Sequence, residues 1–228
     1  MCPDNQAVGV EEAFLAGLRP RTTEEVLHQA LEQAKQELTK RDPRIVGWQS
    51  GAELLANSGE PPHWLLRFLG DEFRISQEGA EVLRVVGEQK ASASERLLLL
   101  HYLLKADGHP LANRWVAFRE FPEGLSYDAA FQARANRRLA EFFGSDAASF
   151  SQAAQALGGE RLHFGDASFL FRTLPRLWQA VVFYAADEEF GASARILFDG
   201  SAHHYLPTED LAVLGGLLSS RLVRAARG

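Results

Sequence analysis

Two adjacent histidines and a tyrosine, His203-His204-Tyr205, occupy the segment between Asp199 and Thr208, and this is the stretch best equipped for chemistry. A neutral imidazole can ligate a metal or exchange a proton near neutral pH. Neighbouring side chains in extended chain point to opposite sides, so one histidine of the pair faces inward with ease, and His204 is the candidate. Asp199 and Glu209 are close enough in sequence to orient it. The plainer reading is a surface histidine that hydrogen-bonds beside a helix N-terminus. A second candidate is cationic. Arg134 and Arg138 are four residues apart, and Arg119-Glu120 arrives from the end of the preceding strand. Two guanidinium groups on one helix face could grip a carboxylate or phosphate, or could pair with the chain's own Glu141 or Asp128. Asp187-Glu188-Glu189 suits either a hard cation or a solvated turn. The ligand-binding set drawn from these stretches is His204, Tyr205, Arg119, Arg134, Asp199 and Glu209, with no metal-ligand set assigned.

The elements that must hold these residues follow from periodicity. Ala194, Ile196 and Phe198 alternate with Arg195, Leu197 and Asp199, which predicts a strand broken by Gly200-Ser201. Thr208 is the expected N-cap of a terminal helix whose stripe is Leu211, Leu214, Leu218 and Leu222, with Arg221, Arg224 and Arg227 suited to its C-terminal end. Upstream, Thr22 and Glu25 form one T-x-x-E capping pattern, and Ser92 and Glu95 a second. The helix opened by Ser92 is apolar on nearly every side, so it belongs in the core, and His101 within it reads as a satisfied core residue. A short helix is expected around Trp48 to Leu55. Strands are expected at Trp64 to Leu69, Glu72 to Ser76, Val82 to Val86, Trp115 to Phe118, Ser168 to Arg172 and Leu177 to Tyr184, with helices over Asp128 to Phe143 and Ala147 to Leu157. Leu177 to Tyr184 is the most continuously apolar, which places it centrally in a sheet. Short connections favour antiparallel neighbours.

Composition narrows the function classes. The 228 residues are 46% hydrophobic with a net charge of -6, acids and bases interspersed, which argues against generic nucleic-acid binding. Cys2 is the single cysteine, so an internal disulfide and a cysteine-rich zinc site are both excluded. The longest apolar run, Leu97 to Leu104, is broken by His101 and falls far short of a bilayer span. A cytoplasmic protein without a membrane segment is therefore expected. No phosphate-binding loop with lysine, G-x-S-x-G, G-x-G-x-x-G or H-E-x-x-H occurs.

Several stretches, in order, carry a resemblance: L-L-H-Y-L-L-K-A-D-G, W-V-A-F-R-E-F-P-E-G, A-L-G-G, G-D-A-S-F-L-F-R-T-L-P-R, D-E-E-F and I-L-F-D-G-S-A-H-H-Y-L-P-T-E-D-L-A-V-L-G. From Asp42 to Leu222 the chain resembles a domain-of-unknown-function family of anaerobic bacteria and archaea, some members of which carry an N-terminal iron-sulfur segment. The resemblance implies a cytoplasmic life in an anaerobe and a place in iron-sulfur, corrinoid or related cofactor metabolism. It implies no catalytic mechanism. The cysteines of the cluster-bearing members are missing, so no iron-sulfur cluster of its own is expected.

These readings predict an N-terminal arm over residues 1–21 and a single α+β domain over 22–228. Its core is a mostly antiparallel sheet of five to seven strands packed against the Arg96 to Ala106 and Thr208 to Ala226 helices. The expected function is that of a binding or accessory protein for a small anionic or metal-bearing ligand or a partner enzyme. An enzyme using His204 as general acid or base, oriented by Asp199, is the alternative.

Overall fold

The computed structural model describes residues 23–56, 59 and 61–228. The expected N-terminal arm and the Thr22 capping position lie outside them. The chain begins with helices α1 (Thr23–Leu38) and α2 (Pro43–Ser50), followed by strands β1 (Glu53–Leu55), β2 (His63–Phe68), β3 (Asp71–Ser76) and β4 (Val82–Arg84). Helix α3 (Ala93–Lys105) leads to β5 (Trp115–Ala117) and a 3-10 turn, Phe118–Glu120. A continuous helical stretch comes next: α4 (Gly124–Phe131), a π-helical segment (Gln132–Arg137) and α5 (Arg138–Phe143). Then follow α6 (Ala147–Ala156), β6 (Glu160–Leu162), β7 (Ala167–Leu174), β8 (Leu177–Tyr184), β9 (Ser193–Asp199), a second 3-10 turn (Ala202–His204) and α7 (Thr208–Ala225).

The class is α+β and every strand pairing within the sheets is antiparallel, as expected. The strands divide between two sheets, ordered β1-β2-β3-β4 and β5-β9-β8-β7-β6. Strand β8 is central in the larger sheet, where its continuous apolar run places it. The hairpin between β2 and β3 turns at Leu69 (φ 49°) and Gly70 (φ 87°), and successive positive φ values match the right-handed strand twist. Beyond Ser50 the backbone forms β1 against β2 rather than extending the helix to Leu55; Gly51, with φ 72°, ends α2.

One core runs through both sheets. Helix α3 buries Leu98, Leu99, Leu100, Tyr102 and Leu103, and α7 buries Leu211, Leu214, Leu218 and Leu222. Ser92 and Glu95 form the predicted capping box. Glu95 serves twice, because its other oxygen joins an ion network that ties the small sheet to both helices. Arg221 contacts Asp71 at 2.7 Å and Glu95 at 3.2 Å, and Arg84 reaches the same two acids at 3.4 and 3.5 Å. Leu69 N–H also donates to Thr173 C=O at 3.0 Å, joining the two sheets directly.

Candidate functional site

The bend from Gly200 to Pro207 is held from beneath by buried groups. Asp199 is 3% exposed and accepts from Ala112 N at 2.8 Å, Ser201 N at 2.9 Å and Ser201 Oγ at 2.6 Å. Burial alone would raise its pKa, but these donors outweigh it and hold the carboxyl below the usual range. Asp199 therefore anchors backbone and does not orient His204. Tyr205 is fully buried, stacks on Tyr102 with centroids 5.9 Å apart, and donates its hydroxyl to His109 C=O. Tyr102 in turn donates to Ser50 C=O at 2.6 Å and accepts from Arg176 N at 3.0 Å. Tyr205 is thus a support and has no surface to offer a ligand.

The group that orients His204 comes from the loop after α3. His204 Nδ1 lies 2.6 Å from Asp107 Oδ2, and the His109 ring stacks on His204 with centroids 3.8 Å apart. His203 completes a three-ring cluster, 4.4 Å from His204. The tautomers follow from the partners. His109 Nδ1 faces Pro110 C=O at 2.7 Å and His203 Nδ1 faces Gly200 C=O at 3.1 Å; a carbonyl only accepts, so both Nδ1 atoms carry the proton. An ionised carboxylate likewise makes His204 Nδ1 the donor. All three Nε2 lone pairs are then left available. Burial, followed by the neighbouring His204, holds the His203 imidazole below its ordinary value. Burial opposes ionisation of Asp107, but its bonds from His204 and the His109 amide prevail and lower its pKa. The Trp48 ring lies against Gly108, between Asp107 and His109 in sequence, and is 69% exposed. It forms an aromatic face against the turn that carries Asp107 and His109.

Arg134 and Glu209 belong to a different place. Both line a cavity of about 410 Å³ between the α4–π stretch and α7, and neither Arg119 nor His204 lines it. Glu209 accepts from the Tyr127 hydroxyl at 2.5 Å. Arg119 lies exposed on its 3-10 turn, while Glu120 accepts from Ala117 N at 2.7 Å. Arg138 donates to Ser220 Oγ at 2.9 Å rather than joining Arg134 in an anion clamp. Thr208 does not cap α7 with its side chain; its hydroxyl donates to Pro122 C=O at 2.8 Å. His101 is satisfied, with Nδ1 2.6 Å from Asp210 Oδ2. Asp187 accepts from Glu189 N and Phe190 N at 2.9 and 2.7 Å, a self-contained turn.

A hollow of about 990 Å³ lies between the sheets. Of the charges lining it, Asp71 and Arg221 pair with each other, as do Glu160 and Arg172. Among the described residues, no three His, Cys, Asp or Glu side chains converge to hold a metal ion, and no helix is long and apolar enough to cross a membrane. Sequence reasoning missed Asp107, His109 and Trp48. The only signal was the D-G-H-P turn, whose aspartate can bond its own backbone and whose glycine permits tight reversal.

Fold and site together define an α+β protein that presents a carboxylate-backed imidazole cluster where the bend after β9 meets the loop after α3. Residues 42–221 match the family described as Domain of unknown function (DUF3786), and the chain belongs to that family. No curated protein and no solved structure matches it.

Proposed function

We propose that this is a ligand-binding accessory protein in which His204 Nε2 serves as donor to a metal-bearing small molecule. The observation that carries the reading is the Asp107–His204 contact at 2.6 Å. A carboxylate behind an imidazole fixes the ring and raises the basicity of its outer nitrogen, the arrangement commonly found behind metal-ligating histidines. The His109 and His204 rings stack, His203 is tilted against them, and among the described residues no three ligating side chains enclose an ion. A metal that arrives with its other ligands already in place, and so needs one or two imidazoles, suits this cluster better than a bare cation. Trp48 adds a flat apolar face for the body of such a ligand. The resemblance to a family of anaerobes with iron-sulfur-bearing members agrees with cofactor handling in a cytoplasmic setting.

The test is an absorbance titration with hemin, a metal complex with open axial positions, against the parent, His204→Ala and Asp107→Asn. The reading expects an imidazole-ligated spectrum in the parent, its loss in His204→Ala and weakening by about tenfold in Asp107→Asn. Equal spectra in the parent and His204→Ala would remove His204 from the role. The enzyme alternative rests on the same dyad, with His204 Nε2 taking a proton and Asp107 holding the resulting imidazolium. It replaces Asp199 by Asp107 as the orienting acid and leaves the reaction open.

A further inference from the structure

The cavity between the α4–π stretch and α7 is separate from the histidine bend. Three independent features of it need explaining. The first is a glycine pair. A Cβ on Gly215 would lie 2.5 Å from the Phe131 ring, so close packing requires that glycine. A Cβ on Gly216 would meet nothing within 4 Å. Packing does not require the second glycine, yet a mid-helix glycine costs about 1 kcal/mol relative to alanine. Its missing side chain leaves the cavity floor open. The second feature is the π-helical segment Gln132–Arg137. Such segments are rare and frequently accompany functional sites. This one delivers Arg134 to the cavity while its Asn136 Oδ1 accepts from Ile196 N at 2.9 Å on β9. The third is charge. The Arg134 side chain makes no ion pair or hydrogen bond among the described residues, whereas Glu209 already accepts from Tyr127.

From this juxtaposition we infer that the cavity binds a small amphipathic monocarboxylate, with its carboxylate on Arg134 and its apolar body over Gly216. Ala130, Phe131, Ala212, Val213 and Leu217 supply the apolar walls. A single guanidinium, with Glu209 on the α7 wall of the same cavity, suits one negative charge, and a dianionic phosphate would meet repulsion without a second cation. A volume of about 410 Å³ accommodates roughly a dozen non-hydrogen atoms at about 30 Å³ each. This inference stands on different residues from the reading of His204 and survives its failure.

Isothermal titration with decanoate and with 4-phenylbutyrate, each of suitable size, tests it, with decan-1-ol as the uncharged control. The parent is expected to bind at least one acid saturably and more tightly than the alcohol. Arg134→Met should weaken the acid by about tenfold or more and erase its advantage over decan-1-ol. Gly216→Leu should block acid and alcohol alike while its melting temperature stays at or above the parent's. Saturable binding of neither acid, or acid binding unchanged in either variant, overturns the inference. Arg134 is exposed, so its replacement leaves the fold intact and keeps the test decisive even if Gly216→Leu folds poorly.

Discussion

The histidine bend and the arginine cavity place functional side chains by opposite means. The bend is short, and its rigidity comes from buried groups that never reach the surface: Asp199 bonding the backbone and Tyr205 locked on Tyr102. The cavity joins positions 82 residues apart, as the Tyr127–Glu209 bond does, and depends on a helical irregularity and an absent side chain. Damage to the supports of the bend should therefore cost stability first. Damage to the cavity should change binding first.

The largest effect is expected at Asp199. Asp199→Ala leaves the Ala112 and Ser201 amides without their acceptor in a buried place, which should destabilise the fold by about 3 kcal/mol in chemical denaturation. Its folded pKa lies below the ordinary carboxylate value, so this contribution is complete above that value and disappears as pH falls through the lower folded one. A loss near zero at neutral pH would show that the bend stands without its anchor. Next comes the glycine pair, which separates packing from opening. Gly215→Ala drives a methyl into Phe131 and should cost about 2 kcal/mol, whereas Gly216→Ala should gain up to about 1 kcal/mol. Equal effects from the two substitutions would erase the distinction on which the cavity reading rests.

The smallest effect concerns His101, which joins α3 to the first turn of α7. Its hydrogen bond to Asp210 raises its pKa against opposing burial, with the Asp210 charge and the more distant Glu37 adding to the rise. That stabilisation is complete below the ordinary imidazole value and is lost as pH rises through the folded one. The melting-temperature difference between the parent and His101→Gln should shrink from mildly acidic to alkaline pH; a difference that grows would reverse the assigned charge.

The sequence carried the local part of this account. Alternation in Ala194 to Asp199, the Ser92–Glu95 box and the apolar run of β8 each announced an element, because each depends on neighbours within a few residues. It did not divide the strands into two sheets, since that division depends on contacts such as Leu69 with Thr173. It named His204 but paired it with Asp199, the nearer acid in sequence, where folding brings Asp107 across from α3's end. Arg134 and Glu209 were recognised as types able to bind an ion, yet their meeting in one cavity depends on two helices packing side by side. The π-helical segment has no simple sequence signature, and it separates Arg134 from the anion clamp that regular spacing with Arg138 suggested.

The most direct test of the central claim is the protonation pattern of His204 itself, read by long-range proton–nitrogen NMR of the imidazole rings at a pH where the ring is neutral. The account predicts a proton on Nδ1 with a bare Nε2 in the parent, and loss of that preference in Asp107→Ala. A parent ring protonated on Nε2 would mean that Asp107 does not hold it, and that the nitrogen proposed to meet a ligand is already occupied.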